Sequence, residues 1–356
     1  MVKFFKSVIV LILFFGLIFI ANTYSDSNLS NPAMMGETTD VIARNKDGLQ
    51  IHLIDLDSNT IKKVISTIDN NKKTVFILGN SQTQSVNQLK NKQTNLVELL
   101  SFALPEYNII SHTMPNMNLQ EFWLSFSYWN TKIEIDKIII PIFFDDFREN
   151  QVRSNLINYV FNEDFLINGK DLISKKINDK IINENKTENS QNIGQILEMK
   201  ILSFLNSNFY FWENRTNIKT NIFVGLYNLR NTIFNIKPTS KRKVLKPSFE
   251  NNLNSLINIL KVTDESKISA YLYIPPIRQD YEIPYDLNEY KNFKKQISDT
   301  ILNFNGNFKN FETIVPPNFW GFKQSTNLSK KNEIDFMHFS FEGHKILSDS
   351  LSNFVK

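Results

Sequence analysis

The chain has 356 residues, of which 42% are hydrophobic, and it carries 40 basic against 36 acidic side chains. This length suffices for one large domain or two small ones, and the net charge of +4 does not indicate a nucleic-acid-binding protein. Because the sequence contains no cysteine, disulfides, Cys-ligated zinc, iron–sulfur clusters and thiol nucleophiles are excluded.

The N-terminal segment, residues 1–25, combines two lysines with an unbroken apolar run from Val8 to Ala21. As a helix, this run would span roughly 21 Å, which is short of the ~30 Å hydrocarbon core of a bilayer. We interpret the segment as a membrane anchor, with a cleaved signal peptide as the alternative because small residues follow at 23–25. Since Lys3 and Lys6 stay inside, both interpretations place the rest of the chain outside the cytoplasm, on the periplasmic face of a bacterial inner membrane or secreted.

Strands and helices alternate after a polar linker predicted at 26–50, and they form one domain predicted at 51–356. Short apolar runs bounded by turn residues predict strands at 51–56, 73–78, 107–110, 134–144, 268–274 and 311–315. Apolar residues at helical spacing predict helices over 85–102 and 118–129. Alternating strands and helices favour an α/β fold built on a parallel sheet.

A low-complexity and helical insertion is predicted at about 163–246. Residues 163–200 are rich in Asn, Lys and Glu, and residues 200–236 are aromatic with a helical pattern. We interpret the aromatic part as a pair of helices over the edge of the sheet that carries the candidate site described next. The most basic segment, Lys237–Lys246, is interpreted as a solvated loop, with contact to an anionic polymer or lipid headgroups as the alternative.

The clearest local motif runs from Thr74 to Thr83. An apolar strand ends at Gly79, and Asn80-Ser81 opens a helix. Ser81 is therefore predicted on a strand-to-helix turn at the carboxyl edge of the sheet, where open α/β folds bind ligands. Backbone N–H groups at a helix start can stabilise an oxyanion, but a serine hydroxyl needs a base before it becomes a good nucleophile.

A second motif, near the C-terminus, offers that base. Asp335 and His338 are three residues apart, and this spacing allows the carboxylate to accept a hydrogen bond from the imidazole Nδ1–H. Nε2 is then left to take the serine proton. Among the four histidines, only His338 has an acid three residues before it.

Together, G-N-S-x-T after the first core strand and D-x-x-H near the C-terminus resemble the SGNH hydrolase superfamily, the GDSL esterase/lipase group. The resemblance implies a three-layer α/β/α sandwich with a flavodoxin-like parallel sheet. It implies Ser81 as nucleophile, His338 as general base and Asp335 as the carboxylate that orients the base. It extends to membrane-anchored members that modify envelope or exported polysaccharides.

Two blocks of the sequence depart from the family pattern. Where the family places an asparagine that donates to the oxyanion, this chain has Asp145, and an ionised carboxylate there would repel the oxyanion. The block expected to supply a glycine has none, so the candidate donors are Asn116 and Asn118, with backbone N–H groups as the alternative. Both departures concern the oxyanion site and leave the serine, acid and base intact.

Charged side chains at two strand ends are candidate substrate-binding residues. Asp145, Asp146 and Arg148 follow one predicted strand, either as a polar cluster at the site or as an ordinary charge network. Arg278 follows another strand on a proline-rich loop, where it either binds an anionic or hydroxyl-rich substrate or belongs to a stiff surface loop.

These observations predict a serine-dependent acyl esterase or O-acyltransferase whose substrate is an acylated carbohydrate or another ester. The alternative is a non-catalytic polysaccharide-binding or envelope-assembly protein on the same scaffold. We expect no cofactor, no metal site and no nucleic-acid partner, with the membrane contacted through the N-terminal segment. Of the other histidines, His52 is expected to be structural, His112 is a weaker candidate at the site, and His344 is expected on the surface of the last helix.

Overall fold

The structure is a computed structural model that describes residues 37–54, 56–188, 215–328 and 332–356. The predicted N-terminal anchor at 1–25 lies outside these residues. Across the described ranges, no helix combines the length and the apolarity needed to cross a bilayer. The chain divides into a smaller unit, made of Met1–Gly36, Glu188–Ile236 and Gln324–Lys331, and a larger unit that holds the remaining residues.

Among the described residues, the strands lie in the larger unit and α7 lies in the smaller unit. The strands are β1 (Thr38–Asp40), β2 (His52–Leu53), β3 (Lys73–Gly79), β4 (Ser85–Asn87), β5 (Tyr107–Thr113), β6 (Lys137–Pro141), β7 (Ser269–Ile274), β8 (Asn307–Asn310), β9 (Trp320–Lys323) and β10 (Glu333–Phe339). The α-helices are α1 (Ser58–Ile65), α2 (Ser81–Gln84), α3 (Leu96–Ala103), α4 (Leu119–Trp129), α5 (Ser154–Asn162), α6 (Leu172–Glu188), α7 (Arg215–Ile233), α8 (Lys246–Glu265), α9 (Leu287–Leu302) and α10 (Phe341–Val355). Short 3₁₀ turns lie at Asp145–Phe147 and Pro317–Phe319.

The central sheet has six parallel strands in the order β2-β5-β3-β6-β7-β8. Numbered from β3 onward, the last five follow the order 2-1-3-4-5, which is the flavodoxin-like arrangement. The predicted flavodoxin-like parallel sheet is therefore confirmed. The strand order reverses between β3 and β6, and the carboxyl ends of these two strands flank the crevice where such folds bind ligands.

Helices cover both faces of this sheet. Successive side chains of a strand point to opposite faces, and β3 shows this alternation clearly. Phe76 and Leu78 pack with α4, α8 and α9 on one face, and Val75 and Ile77 pack with α3 and α10 on the other. The predicted three-layer α/β/α sandwich is confirmed.

Part of the linker predicted at 26–50 is folded onto the larger unit. β1 pairs antiparallel with β4, which places Thr38 opposite Asn87, and Ala43 is fully buried. The helix predicted over 85–102 is wrong at its start, because 85–87 form β4. Helix α3 begins only after Asn95, whose side chain accepts hydrogen bonds from two backbone N–H groups of its first turn.

Two further predictions need correction. The strand predicted at 311–315 is wrong, since the edge strand β8 lies at Asn307–Asn310 and the apolar residues after it are buried in irregular backbone. The insertion predicted at 163–246 is in part a core layer, because Ile173, Ile177 and Ile181 of α6 are buried in the larger core. Residues 189–214 of that range lie outside the described residues.

Candidate active site

Ser81 lies on the predicted turn between β3 and α2. The Asn80 side chain caps the helix, since its Oδ1 accepts a hydrogen bond from the Gln82 N–H at 3.1 Å. A Cβ at Gly79 would come within 2.3 Å of Thr83 Oγ1, so only glycine allows this tight approach of helix to strand. The sequence G-N-S-Q-T therefore fixes the nucleophile candidate at the carboxyl end of β3, beside the point where the strand order reverses.

Asp335 and His338 form a hydrogen-bonded pair on β10. His338 Nδ1 donates to Asp335 Oδ2 at 2.8 Å, and the backbone N–H groups of Met337 and His338 donate to Asp335 Oδ1 at 2.8 and 3.1 Å. Side chains three apart on a regular strand would point to opposite faces. Here the pairing of β10 with β9 shifts register between Ile334 and Phe339, and this irregularity brings both side chains together.

The electrostatics of this pair favour an ionised acid. Burial alone would raise the pKa of the Asp335 carboxyl, but the facing His338 imidazole and the Met337 N–H outweigh it and hold the pKa below its ordinary value. An ionised Asp335 keeps the imidazole proton on Nδ1 and stabilises the imidazolium that forms when Nε2 takes a proton.

The second ring nitrogen of His338, Nε2, is buried without a partner among the described residues. His338 is 5% exposed, and its Nε2 has no hydrogen-bond partner among the described residues, Ser81 included. Helix α2 nevertheless packs against β10, so the nucleophile and base candidates lie on neighbouring elements. Catalytic hydrogen bonds are often long in the free enzyme and tighten when substrate binds. The structure thus brings the acid and base together and leaves the serine–base contact unmade.

Two neutral side chains, Thr38 and Asn87, contact the carboxylate of Asp335, and we call them the clamp. Asn87 Nδ2 donates to Thr38 Oγ1 and to the Phe322 carbonyl, both at 3.0 Å, and lies 3.4 Å from Asp335 Oδ2. Thr38 Oγ1 donates to the same carboxylate oxygen at 3.4 Å. A Cβ at Gly321 would lie 1.8 Å from Asn87 Oδ1, so the clamp also requires that glycine. Sequence reasoning missed this clamp, because its members come from strands far apart in the chain.

Asp145, which stands where the sequence resemblance implies an asparagine, is contacted by three donor side chains. It accepts from Arg148 Nη1 and from the Tyr285 hydroxyl, each at 2.9 Å, and forms an ion pair with Arg242. Because both carboxylate oxygens are occupied by these partners, Asp145 forms part of a charge network and supplies no donor to an oxyanion.

Asp146, the next residue, lies directly beside the turn that carries Ser81. Its carboxylate is buried, and both oxygens lie 3.3 Å from Asn80 Nδ2. Burial raises the pKa of Asp146 well above its ordinary value, and the charges of Asp145 and Glu121 add to this despite the Asn80 hydrogen bond. This shift favours the protonated carboxyl, in which one oxygen becomes a hydrogen-bond donor.

The two asparagines proposed as oxyanion donors have other positions. Asn118 caps α4, since its Oδ1 accepts from the N–H groups of Gln120 and Glu121 and its Nδ2 donates to the Gln151 carbonyl at 2.7 Å. Its prediction as an oxyanion donor is therefore wrong. Asn116 is exposed, in the left-handed conformation with φ of 54°, and no contact within the described residues joins it to Ser81.

Arg278 is a structural residue in this conformation. Its guanidinium forms a two-pronged ion pair with Asp280 at 2.8 and 3.0 Å and donates to the Gly321 carbonyl at 2.7 Å. The rings of Tyr281 and Phe322 lie on either side within cation–π distance. The predicted role of Arg278 in substrate binding is therefore not supported, because these partners fix the proline-rich loop against β9.

A small apolar cavity adjoins the candidate site at the carboxyl ends of β6 and β7. Its lining includes Phe336 and Met337, the two residues between the candidate acid and base, together with Pro276. The Gln82 side chain of α2 donates to the Pro276 carbonyl at 3.0 Å, which ties the helix of the nucleophile to the same wall. The open volume of about 10 Å³ accommodates roughly one water-sized group.

The remaining histidines are buried and make no hydrogen bond to the acid–base pair within the described residues. Burial lowers the pKa of His52 to about 4, which agrees with its predicted structural role. His112 Nδ1 is hydrogen-bonded to Ser125 Oγ at 2.5 Å in the core, and burial lowers its pKa to about 3. The prediction of His344 as a surface residue is wrong, because it is fully buried and its Nε2 donates to the Ser85 carbonyl.

The fold and the site together define a parallel α/β protein with a serine at the point where the strand order reverses and a buried Asp–His pair near the C-terminus. No family model matches the chain, and no curated protein matches its sequence. Several solved structures are similar to it.

These similar structures include two GDSL-like lipases and one carbohydrate esterase. The lipase from Parabacteroides merdae is 13% identical with a TM-score of 0.40, over 80% of this chain and 97% of that one. The lipase from Bacteroides thetaiotaomicron is 10% identical with a TM-score of 0.36, over 83% and 95% of the two chains. A family two carbohydrate esterase from Clostridium thermocellum, in complex with cellohexaose, is 8% identical with a TM-score of 0.37, over 81% and 65%.

Proposed function

We propose that this chain is a serine-dependent acyl esterase or O-acyltransferase. The observation that carries the proposal is the state of His338. Its Nδ1 is fixed by Asp335, and its buried Nε2 has no partner within the described residues, on a strand that packs against the helix beginning at Ser81. A buried nitrogen left without a partner costs about 1–3 kcal/mol, which favours a site whose partner is the reacting group.

The residues support a two-step acyl transfer. The Ser81 hydroxyl attacks an ester carbonyl while His338 Nε2 takes its proton, and Asp335 stabilises the imidazolium. The Ser81 N–H, first in α2, has no acceptor within the helix and would donate to the oxyanion. The imidazolium then returns its proton to the leaving alcohol, and water or a sugar hydroxyl takes the acyl group from the serine.

The proposal extends to the class of substrate and to the location of the domain. We infer an acylated envelope or exported carbohydrate as substrate, on the family resemblance carried by the Ser81 and His338 motifs. The apolar N-terminal segment supports a domain held outside the cytoplasm by a membrane anchor, or released there after cleavage. A tether would raise the effective concentration of the enzyme at a surface polymer.

Labelling with a fluorophosphonate probe tests the proposal on the full chain. We expect the wild type to be labelled and Ser81→Ala to lose the label. Ser340→Ala is the matched control, because Ser340 follows the base by two residues and should not carry the label. A folded wild-type protein that resists labelling would contradict the enzyme proposal and favour the non-catalytic, polysaccharide-binding alternative.

A further inference from the structure

Helix α7 of the smaller unit exposes a continuous apolar face. Six apolar side chains of the helix and its end are between 41% and 70% exposed. We call them the apolar stripe: Ile222, Phe223, Leu226, Leu229, Ile233 and Phe234. At about 100° per residue they fall within an arc of about 140°, so they form one face and are not scattered around the helix.

The polar side of the same helix is the side that packs. Asn231 is 1% exposed, and its Nδ2 donates to the Thr326 carbonyl at 2.8 Å. Thr232 Oγ1 accepts from the Leu328 N–H at 3.0 Å. An ordinary surface helix buries its apolar face and exposes its polar face, and α7 does the reverse. An exposed apolar patch of this kind marks an interaction surface.

The charge of helix α7 itself is of one sign. Its residues 215–233 include three basic side chains and no acidic one. The basic residues are Arg215, Lys219 and Arg230. The apolar stripe therefore belongs to a cationic helix.

Arg230 places a basic group directly beside the apolar stripe. The Arg230 guanidinium lies over the ring of Tyr227, 4.7 Å from its centroid, and Tyr227 is half exposed among the residues of the stripe. Long basic and aromatic side chains place an apolar body in the acyl boundary of a membrane and a polar end among the headgroups.

We propose that α7 binds the surface of an anionic bilayer. The apolar stripe would enter the acyl boundary, and the basic side chains of α7 would pair with anionic headgroups. A second copy of this chain would also cover the stripe, but packing α7 on α7 would bring two cationic helices together with no acidic residue on either helix, which is repulsive. The proposal does not depend on the chemistry of Ser81 or on the anchor.

A fluorescence experiment on the full chain tests this placement. Because the chain has no cysteine, single cysteines at Leu226→Cys and Ile233→Cys can carry the environment-sensitive dye NBD. Leu302→Cys is the matched control, since Leu302 is a 61% exposed leucine on another helix. With phosphatidylcholine vesicles containing phosphatidylglycerol, we expect a several-fold rise and a blue shift of the emission at positions 226 and 233, quenched by nitroxide-labelled lipid. The dye at position 302 should not change.

Each of the other results would overturn the proposal. Unchanged emission at positions 226 and 233 would show that the stripe stays out of the bilayer, even if the N-terminal segment holds the protein on the vesicles. A blue shift that appears without vesicles and grows with protein concentration would identify a second copy as the partner. An equal response to vesicles of pure phosphatidylcholine would contradict the role assigned to the basic side chains.

Discussion

Replacing His344 by glutamine should make the protein less sensitive to acid. His344 is fully buried, its Nε2 donates to the Ser85 carbonyl at 3.1 Å, and its Nδ1 has no partner among the described residues. Burial lowers the pKa of His344 to about 3, against the effect of the Ser85 hydrogen bond, and the nearby His338 lowers it further. In the unfolded chain a histidine has a pKa of about 6.5.

The sign and size of the effect follow from these two pKa values. As the pH falls below about 6.5, the unfolded chain takes up a proton at His344 that the folded protein does not, so the free energy of unfolding falls with pH. About pH 5 lies 1.5 units below the unfolded pKa, and each unit is worth about 1.4 kcal/mol, which gives a loss of about 2 kcal/mol. Glutamine does not titrate, so His344→Gln lacks this loss. The other titratable groups, Asp146 among them, are present in both proteins, so their contributions cancel in the comparison.

Urea unfolding at neutral pH and about pH 5, followed by tryptophan fluorescence, measures this difference. We expect the wild type to lose about 2 kcal/mol more than His344→Gln over this interval. Lys345→Gln is the control, because Lys345 is an exposed neighbour and its variant should follow the wild type. Equal losses in the wild type and His344→Gln would refute the assignment of a buried, neutral imidazole.

Three further predictions concern the candidate site. Asn87→Ala removes a side chain that contacts the Asp335 carboxylate, and it should lower kcat for 4-nitrophenyl acetate roughly 10-fold. It should also shift the acid limb of the pH–rate profile. A general loss of stability would not cause that shift. Gly321→Ala forces Asn87 from its place and should reproduce both effects; a wild-type pH profile in both variants would show that the clamp has no positioning role. The wild type should hydrolyse acetyl esters faster than butyryl and longer esters, because the cavity holds about one water-sized group. Met337→Ala enlarges the cavity and should reduce the ratio of acetyl to butyryl activity. An unchanged ratio in this variant would show that the cavity does not bind the acyl group.

Local signals made the sheet and the nucleophile turn predictable. The apolar run of β3 ends at a glycine that is followed by a capping asparagine, and these residues alone specify a strand, a turn and a helix start around Ser81. The same kind of local signal lies at two other positions. Asn118 followed by Glu121 is a capping-box pattern, and it indicates a helix cap rather than an oxyanion donor. His344 lies on the same helical face as Leu347 and Leu351, which indicates burial.

Other features depend on contacts between distant parts of the chain. Thr38 and Asn87 meet because β1 pairs with β4, and no periodicity within either segment specifies that pairing. An ionised Asp145 would repel an oxyanion, but its charge is compensated by Arg242, which lies nearly a hundred residues away in the chain. Local patterns therefore predicted five of the six strands of the central sheet and the acid–base pair. The surrounding side chains, which set the charge and position of that pair, could be identified only from the fold.

The central claim is that Ser81 is a nucleophile activated by His338. The most direct test is mass-spectrometric mapping of the full chain after reaction with diisopropyl fluorophosphate. We expect the adduct to form on Ser81, and we expect His338→Gln, which removes the base but not the serine, to slow its formation by roughly 10³-fold or more. An adduct on another residue, or formation at the same rate in His338→Gln, would contradict it.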